Sequence, residues 1–292
     1  MIDLHTHTTA SDGRCEPPEL VARAHSAGVT VLAVSDHDTV AACEAAAAAC
    51  RGAGMAFVPG IEITAVRAEV DVHVLGYFID PRAAPLNTFL AEQRQRRFDR
   101  VGRIVAQLAE LGIRLDADAI LGPALDNPGR SIGRPAVARA LLAAGYVASM
   151  NDAFSVWLSR GRPAFVPREG PAPENVIAQI HAAGGVASLA HPGLLGRDEW
   201  IAGLVAAGLD AIEAYHTNHD DAATGRYRAI AARYGIALSG GSDYHADQSH
   251  GAPYPGSVSL PRDDFDQLKA RLKPDITETP SPETQAVSPS RR

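Results

Sequence analysis

Residues 2–38 read IDLHTHTTASDGRCEPPELVARAHSAGVTVLAVSDHD, and this stretch decides the fold class. Two short runs of alternating or β-branched residues flank a helical segment that has Pro17 at its start and Gly28 after its end. The pattern continues beyond this stretch and predicts strands and helices in alternation, over residues 2–7, 17–27, 29–35, 39–51 and 56–64. The order βαβαβ is typical of a parallel sheet or barrel.

The remaining chain divides into three parts. A further strand is predicted over 70–78, and residues 85–165 then contain helical patterns alone, which indicates a helical insertion that caps the substrate site. After the insertion the alternation resumes, so residues 1–84 and 166–273 together predict one barrel of seven or eight strands. Residues 274–292 are rich in Pro, Ser, Thr and Glu and predict a disordered tail.

Composition and charge exclude several classes of protein. The 292 residues carry a formal net charge of −7, which argues against a broad basic surface for duplex DNA. No signal-peptide pattern or long apolar run is present, so we expect a cytoplasmic protein without a membrane span. Cys15, Cys43 and Cys50 lack zinc-ligand spacing and are expected to be core thiols. No pattern in the sequence fixes an oligomeric state.

Side chains that bind metals follow nearly every predicted strand. His5 and His7 are two positions apart on one strand, so their imidazoles project from the same face. In a βα barrel the carboxyl ends of the strands meet at one rim, where active sites are built. The residues that we expect to gather there are His5, His7, His37, Glu62, His73, His191, His216, Asp243 and His245.

The donor types indicate which metals fit. Imidazoles and carboxylates without cysteine favour manganese, zinc or iron over a pure magnesium or calcium site. A carboxylate such as Glu62 can bridge two ions. Paired divalent ions are the usual means of hydrolysing phosphate esters, because they bind phosphoryl oxygens and lower the pKa of a shared water. The pattern therefore predicts a metal-dependent phosphoesterase.

Further residues are candidates for substrate binding and catalysis. Arg130, Ser131 and Arg134 lie in a glycine-containing segment before a helix, where the arginines can clamp a phosphate. His216 is a candidate to contact the phosphate or to protonate the leaving oxygen. By contrast, the cluster Arg94, Arg96, Arg97 and Arg100 on the long helix at 86–111 is expected to form a solvated face.

The motifs Asp3-Leu4-His5-Thr6-His7, Ser35-Asp36-His37-Asp38, Gly60-Ile61-Glu62, Ala190-His191-Pro192 and Gly241-Ser242-Asp243-Tyr244-His245 resemble those of the PHP family, the polymerase and histidinol phosphatase superfamily. The resemblance implies a distorted (β/α)7 barrel with a trinuclear metal centre. It implies three ligand sets, which are His5, His7, Glu62 and Asp243 for the first ion, Glu62, His73 and His191 for the second, and Asp12, His37 and His245 for the third.

Within this family the chain resembles the nucleoside 3',5'-bisphosphate phosphatases, some of which also degrade short RNA from its 5' end. The resemblance implies removal of the 3'-phosphate from a nucleoside 3',5'-bisphosphate. We expect His191, His216 and Arg134 to be catalytic residues, and two or three divalent ions per chain, with manganese preferred and zinc or iron as alternatives. The alternative activity is that of a histidinol phosphatase, although Asp12 stands where that group commonly has histidine. The alternative of another class is a PHP module that binds metal or nucleotide without turnover.

Overall fold

The computed structural model describes residues 1–247 and 250–272, and the predicted tail at 274–292 lies outside the described residues. Seven strands form one sheet in chain order. The strands are β1 Ile2–Asp3, β2 Val31–Val34, β3 Ala56–Arg67, β4 Val70–Tyr77, β5 Val186–Leu189, β6 Ala211–His216 and β7 Ala237–Gly241. The sheet curves into a nearly closed barrel, as the sequence predicts.

Eleven α-helices are present in the described residues. They are α1 Pro17–Ser26, α2 Cys43–Gly52, α3 Ala84–Glu110, α4 Ala117–Asp126, α5 Arg134–Ala143, α6 Met150–Asp152, α7 Pro173–Ala182, α8 Pro192–Leu195, α9 Ile201–Ala206, α10 Asp221–Tyr234 and α11 Arg262–Lys269, with a π-helix at Ala153–Leu158 and a 3₁₀ helix at Asp198–Trp200. None of the helices within these described ranges combines the length and hydrophobicity that a membrane span requires.

The barrel closes between its first and last strands. Leu4 N donates to Gly240 O at 3.2 Å, and His7 N donates to Tyr244 O at 2.9 Å. Gly241 permits this approach, because a Cβ there would clash with the backbone nitrogen and Cβ of His5. Closure therefore brings the two metal-binding motifs at either end of the chain to the same rim.

Strand β4 departs from the parallel order that the sequence predicts. It pairs antiparallel with both β3 and β5, whereas the other neighbouring pairs are parallel. The reason is the connection from β3 to β4, which consists only of Ala68 and Glu69, both with positive φ, as in a type I′ hairpin. His73 consequently lies in the middle of β4, and the expectation that it sits near a strand end was wrong.

The long helix α3 buries two of the four arginines that the sequence predicts to form a solvated face. Arg97 and Arg100 are only 6% and 4% exposed. Arg97 Nε donates to Asp38 Oδ2 at 2.5 Å, and Arg97 Nη2 donates to Thr64 Oγ1 at 2.9 Å. Arg100 Nε donates to the Val166 carbonyl at 2.9 Å. For these two arginines the expectation of a solvated face was wrong, because the same helix face docks on polar groups at the barrel rim.

The helices that follow α3 have an apolar cluster of their own. Residues of α3, α4, α5 and the π-helix pack together there, with Ile104, Ile120, Val137 and Leu158 among the buried members. Cys15, Cys43 and Cys50 lie elsewhere, are free and buried, and match the expectation of core thiols. Burial raises the pKa of the Cys43 thiol to about 12.

Replacement of Arg97 by methionine tests how α3 is held to the rim. Arg97→Met leaves the fully buried Asp38 carboxylate without its closest partner, so we expect the free energy of unfolding to fall by about 3 kcal/mol. Arg96→Met, on the exposed face of the same helix, should change it by less than about 0.5 kcal/mol. Urea denaturation in the presence of a chelator measures both, and equal effects would contradict the assignment.

Candidate metal centre

The carboxylate of Glu62 on β3 occupies the centre of the rim and is 1% exposed. Five imidazoles of the described residues approach it. Oε1 lies 2.6 Å from His73 Nδ1 and 3.0 Å from His191 Nε2. Oε2 lies 3.2 Å from His5 Nε2, 3.3 Å from His7 Nε2 and 3.2 Å from His37 Nδ1. The two oxygens therefore face two different groups of ligands.

Asp243 completes the group on the Oε2 side. It follows β7, and its Oδ1 lies 3.3 Å from His5 Nε2 and 3.1 Å from His7 Nε2. The donor atoms of His5, His7 and Glu62 lie within 4.8 Å of one another. The structure thus brings together the residues that the family resemblance implies for the first ion.

Asp12 forms the other end of the cluster. Its carboxylate lies 3.3 Å from His245 Nε2, 3.7 Å from His37 Nε2 and 3.8 Å from His7 Nδ1. These four residues form one group of donors within 4.8 Å. The third predicted set is therefore also assembled, with His7 added to it. All nine predicted ligands lie in one continuous cluster.

Glu213 is a site residue that the sequence reasoning missed. This buried residue of β6 has Oε1 2.9 Å from His5 Nδ1 and accepts the His191 backbone N–H on Oε2 at 2.7 Å. The contact with His5 keeps the proton on Nδ1 and leaves Nε2 as the atom that faces Glu62. A single carboxylate in the apolar strand Ala211–His216 was the available sequence signal.

Three rim residues adopt a left-handed backbone conformation that is rare without glycine. Asp38, His191 and Asp243 have φ of 52°, 26° and 55°. Each has its N–H fixed by another part of the site: Asp38 by the Glu62 carbonyl at 2.9 Å, Asp243 by the His5 carbonyl at 2.8 Å, and His191 by Glu213. Such strain persists where the surrounding structure over-determines it, and it clusters at functional sites.

His245 and His216 carry their ring proton on different nitrogens, because Nδ1 has a different hydrogen-bond partner in each. His245 Nδ1 lies 2.8 Å from the Asp243 carbonyl, which only accepts, so its Nε2 is the unprotonated atom that faces Asp12. In His216, Nδ1 accepts the Asn218 backbone N–H at 3.1 Å, so a neutral ring carries its proton on Nε2, 3.4 Å from Asp243 Oδ2. His245 is therefore arranged as a metal ligand and His216 as a hydrogen-bond donor.

The pKa shifts reflect the close packing of imidazoles and carboxylates. Burial raises the pKa of Glu62, but His37, His73 and His5 outweigh burial and hold that pKa well below its usual range. Asp12 and Asp243 shift in the same direction for the same kind of reason. Burial lowers the pKa of His7, but its contacts with Asp243 and Glu62 prevail and raise it to about 10.

The donor set fits divalent cations. Buried ring nitrogens of several imidazoles form no hydrogen bond with any described residue, and these are His7 Nδ1 and Nε2, His37 Nδ1, His191 Nδ1 and His245 Nε2. Buried polar atoms of this kind need a partner. Asp12, Glu62, Glu213 and Asp243 contribute four negative charges, which two divalent ions would balance. Neutral imidazole nitrogens and carboxylate oxygens are ordinary ligands of such ions.

Beside His73 lies a second group of charged residues, which we call the arginine cluster: Arg97, Arg100, Arg134 and Arg168. Asp71 Oδ2 lies 3.4 Å from Arg134 Nη2 and 3.6 Å from Arg168 Nε. Asp38 Oδ2 lies 3.7 Å from Arg168 Nη1. Burial, and then the charge of Arg97, lower the pKa of Arg168 to about 9. Four arginines face two carboxylates, and this excess of positive charge suits an anion.

Arg130 and Ser131 contact a different part of the protein from Arg134, although the sequence predicts all three at one phosphate. They line a cavity between α4 and α5 that also contacts Asp12, whereas Arg134 contacts Asp71. Arg168, which the sequence reasoning missed, shares Asp71 with Arg134. It follows the insertion in a segment without a recognisable motif, so only the three-dimensional structure reveals it.

Comparison with known proteins decides the family. A family model described as "PHP domain" matches residues 3–143. A 3',5'-nucleoside bisphosphate phosphatase of Chromobacterium violaceum is 33% identical over 279 residues, which cover 93% of this chain and 97% of that protein. The chain belongs to the PHP family.

One further relative and one solved structure are similar to this chain over most of its length. The 5'-3' exoribonuclease Rnm of Escherichia coli is 36% identical over 250 residues, covering 83% of this chain and 84% of that protein. A Bifidobacterium adolescentis structure, whose assigned activity is that of a metal-dependent phosphoesterase, superposes with a TM-score of 0.84 at 33% identity and covers 94% of this chain and 96% of that one. This PHP protein is accordingly a metal-dependent phosphoesterase with the distorted (β/α)7 barrel.

Metal content tests the ligand assignment for this PHP enzyme. His7→Ala removes an imidazole and Asp243→Asn removes the negative charge of a carboxylate, each from the centre of the donor cluster, so each variant should lose one bound ion or more per chain and most of the activity. The far-ultraviolet circular dichroism should stay close to that of the parent, because backbone bonds close the barrel. His25→Ala, on the exposed surface of α1, is the matched control. Full metal content in both site variants would contradict the assignment.

Proposed function

We propose that this PHP enzyme removes the 3'-phosphate from nucleoside 3',5'-bisphosphates and releases a nucleoside 5'-monophosphate and phosphate. The observation that carries the proposal is the pairing of two anion-binding centres, the Glu62-centred ligand cluster and the arginine cluster. They adjoin through β4, because Asp71 and His73 are two positions apart on the same strand. A substrate with two phosphates on one ribose fits such a pair.

In this proposal each centre takes one phosphate. The nine ligands would hold divalent cations, which when bound would supply charge stabilisation for the 3'-phosphate and a water of lowered pKa. Manganese is our preferred ion for this mixed donor set, with zinc and iron as alternatives. Arg134 and Arg168 hold the 5'-phosphate, which neutralises part of their excess charge. His191 contributes Nε2 beside Glu62 Oε1 and positions the reacting phosphate.

In this proposal His216 donates a hydrogen bond to the leaving 3'-oxygen. Its protonated Nε2 lies at the edge of the ligand cluster, beside Asp243, and is held in that tautomer by the Asn218 N–H. As the bond from phosphorus to the ribose 3'-oxygen breaks, the Nε2–H of His216 stabilises the negative charge that develops on that oxygen, and the oxygen takes its proton from the attacking water. Arg134 assists by fixing the ribose through the 5'-phosphate.

The experiment compares two substrates that differ only in the 5'-phosphate. For Arg134→Met we expect kcat/KM for adenosine 3',5'-bisphosphate to fall by about 10- to 100-fold, the loss of one charge-assisted contact. For adenosine 3'-monophosphate, which lacks that phosphate, the loss should be less than about threefold. Arg233→Met, on the exposed side of α10, should leave both values unchanged.

Steady-state assays of the manganese-loaded protein supply the deciding result. Rapid release of phosphate from the bisphosphate supports the proposal. No release from the bisphosphate together with rapid turnover of histidinol phosphate would overturn it and favour the histidinol phosphatase alternative. Binding of the bisphosphate without turnover of any phosphate ester would favour a non-catalytic module.

A further inference from the structure

The loop after β6 carries a half-buried histidine, His219, that has no role in the reaction described so far. Its ring packs between the rings of His216 and Tyr227, with centroid distances of 5.3 Å and 5.1 Å. Tyr227 of α10 is fully buried, so it gives the ring a fixed support. His219 is therefore held beside the metal centre, although it belongs to none of the donor groups found among the described residues.

Both ring nitrogens of His219 have a backbone partner, and the two partners require opposite roles. Nδ1 lies 3.0 Å from the Ala214 carbonyl oxygen, which only accepts, so Nδ1 carries the ring proton. Nε2 accepts the Gly193 N–H at 3.1 Å, so this nitrogen is unprotonated. Burial lowers the pKa of His219 and favours the same neutral ring. A single neutral tautomer therefore joins β6 to the segment that contains Gly193.

Gly193 lies in the short helix α8, two residues after His191. Pro192 has no N–H, so the Gly193 N–H is the first backbone donor that follows His191. The ring of His219 lies so close that a Cβ on Gly193 would be 2.7 Å from its Nε2. Only a residue without a side chain therefore permits this contact.

The turn at His191 is anchored at two points by β6 and the loop after it. The His191 N–H donates to Glu213 Oε2, and the Gly193 N–H donates to His219 Nε2. His191 has φ of 26°, a strained conformation that persists only where its surroundings hold it. Between the two anchors its side chain reaches the metal centre, where Nε2 lies 3.0 Å from Glu62 Oε1. The position of this imidazole therefore depends on both anchors.

We propose that His219 is a positioning residue for His191. By accepting the Gly193 N–H, it holds the turn that keeps the His191 imidazole in place for the ion on the Oε1 side of Glu62. Residues behind a metal ligand tune metal affinity in this way when they fix the orientation of that ligand. The proposal rests on the assignment of His191 as a metal ligand and not on the identity of the substrate. Loss of the contact should weaken the binding of one ion while the barrel stays folded.

Two amide side chains separate the two hydrogen bonds of His219. Asparagine places its amide near the position of Nδ1 and can still donate to Ala214, but it is too short to reach the Gly193 N–H. Glutamine places its oxygen near the position of Nε2 and can still accept that N–H. His219→Asn should therefore raise the dissociation constant of one bound manganese ion by about five- to tenfold, whereas His219→Gln should keep it within about twofold. Titration of the metal-free protein with Mn²⁺, followed by electron paramagnetic resonance, measures both.

His219→Phe and His181→Phe form a matched pair. Phenylalanine at 219 keeps a ring that packs on Tyr227 but neither hydrogen bond, so it should weaken manganese binding as His219→Asn does. His181 is also half-buried, but its Nε2 lies 2.7 Å from Oδ2 of Asp210, which precedes β6 at the opposite end of the strand. His181→Phe should therefore keep the manganese dissociation constants within about twofold of the parent. Thermal unfolding of the metal-free proteins shows whether each variant is folded.

Gly193→Ala perturbs the same contact from the other side. Gly193 does not have a positive φ, so alanine introduces no backbone strain, but its Cβ displaces the His219 ring. In the parent background Gly193→Ala should raise the dissociation constant of the same manganese ion by about five- to tenfold. In the His219→Ala background it should change that constant by less than about twofold, because the two residues act through one contact.

The possible outcomes are distinct. Parent-like manganese affinity in His219→Asn, equal losses in His219→Asn and His219→Gln, or an equal loss in His181→Phe would each overturn the proposal. Undiminished metal content in His191→Ala would remove the ligand on which it rests and overturn it as well. If His219→Phe does not fold, the comparison of asparagine with glutamine decides, and unfolding of all three variants at 219 would count against the proposal. Failure of the parent to hydrolyse the bisphosphate would instead overturn the proposed function, and the manganese titrations would still decide the role of His219.

Discussion

The Glu62 carboxylate, enclosed by imidazoles from strands and loops around the whole rim, is the interaction on which the rest of the site depends. His73 and His191 face one oxygen, and His5, His7 and His37 face the other. A buried carboxylate is costly unless it is paired. In this barrel the pairing groups come from β4 and from the ends of β1, β2 and β5, so the carboxylate finds all its partners only when these strands curve around it.

The closure of the barrel and the strained backbone at its rim both position the metal ligands. Gly241 lets the last strand approach His5, and the left-handed residues Asp38, His191 and Asp243 turn the chain where each strand enters the rim. Their N–H groups are bonded within the site, so the site itself holds the strained backbone. Glu213 does this for His191 and at the same time fixes the tautomer of His5. Metal binding and backbone conformation are therefore coupled through a few buried bonds.

The sequence predicts much of this arrangement because strand periodicity places His5 and His7 on one face and because strand ends of a βα barrel converge. It does not predict the reversal of β4, since Ala68 and Glu69 carry none of the glycine or asparagine that usually indicates a tight hairpin. Helical periodicity predicts the faces of α3 but not what they contact, so the sequence wrongly predicts a solvated Arg97. Arg168 lies in no motif, and its role depends on contacts that only the folded chain creates.

The most direct test of the account is a crystal structure of the manganese-loaded protein with anomalous scattering measured for the metal. We predict two or three anomalous peaks within about 2.3 Å of the assigned nitrogen and oxygen donors, with Glu62 bound to two ions through its separate oxygens. Peaks that lie away from Glu62, or a single ion without contact to it, would contradict the account.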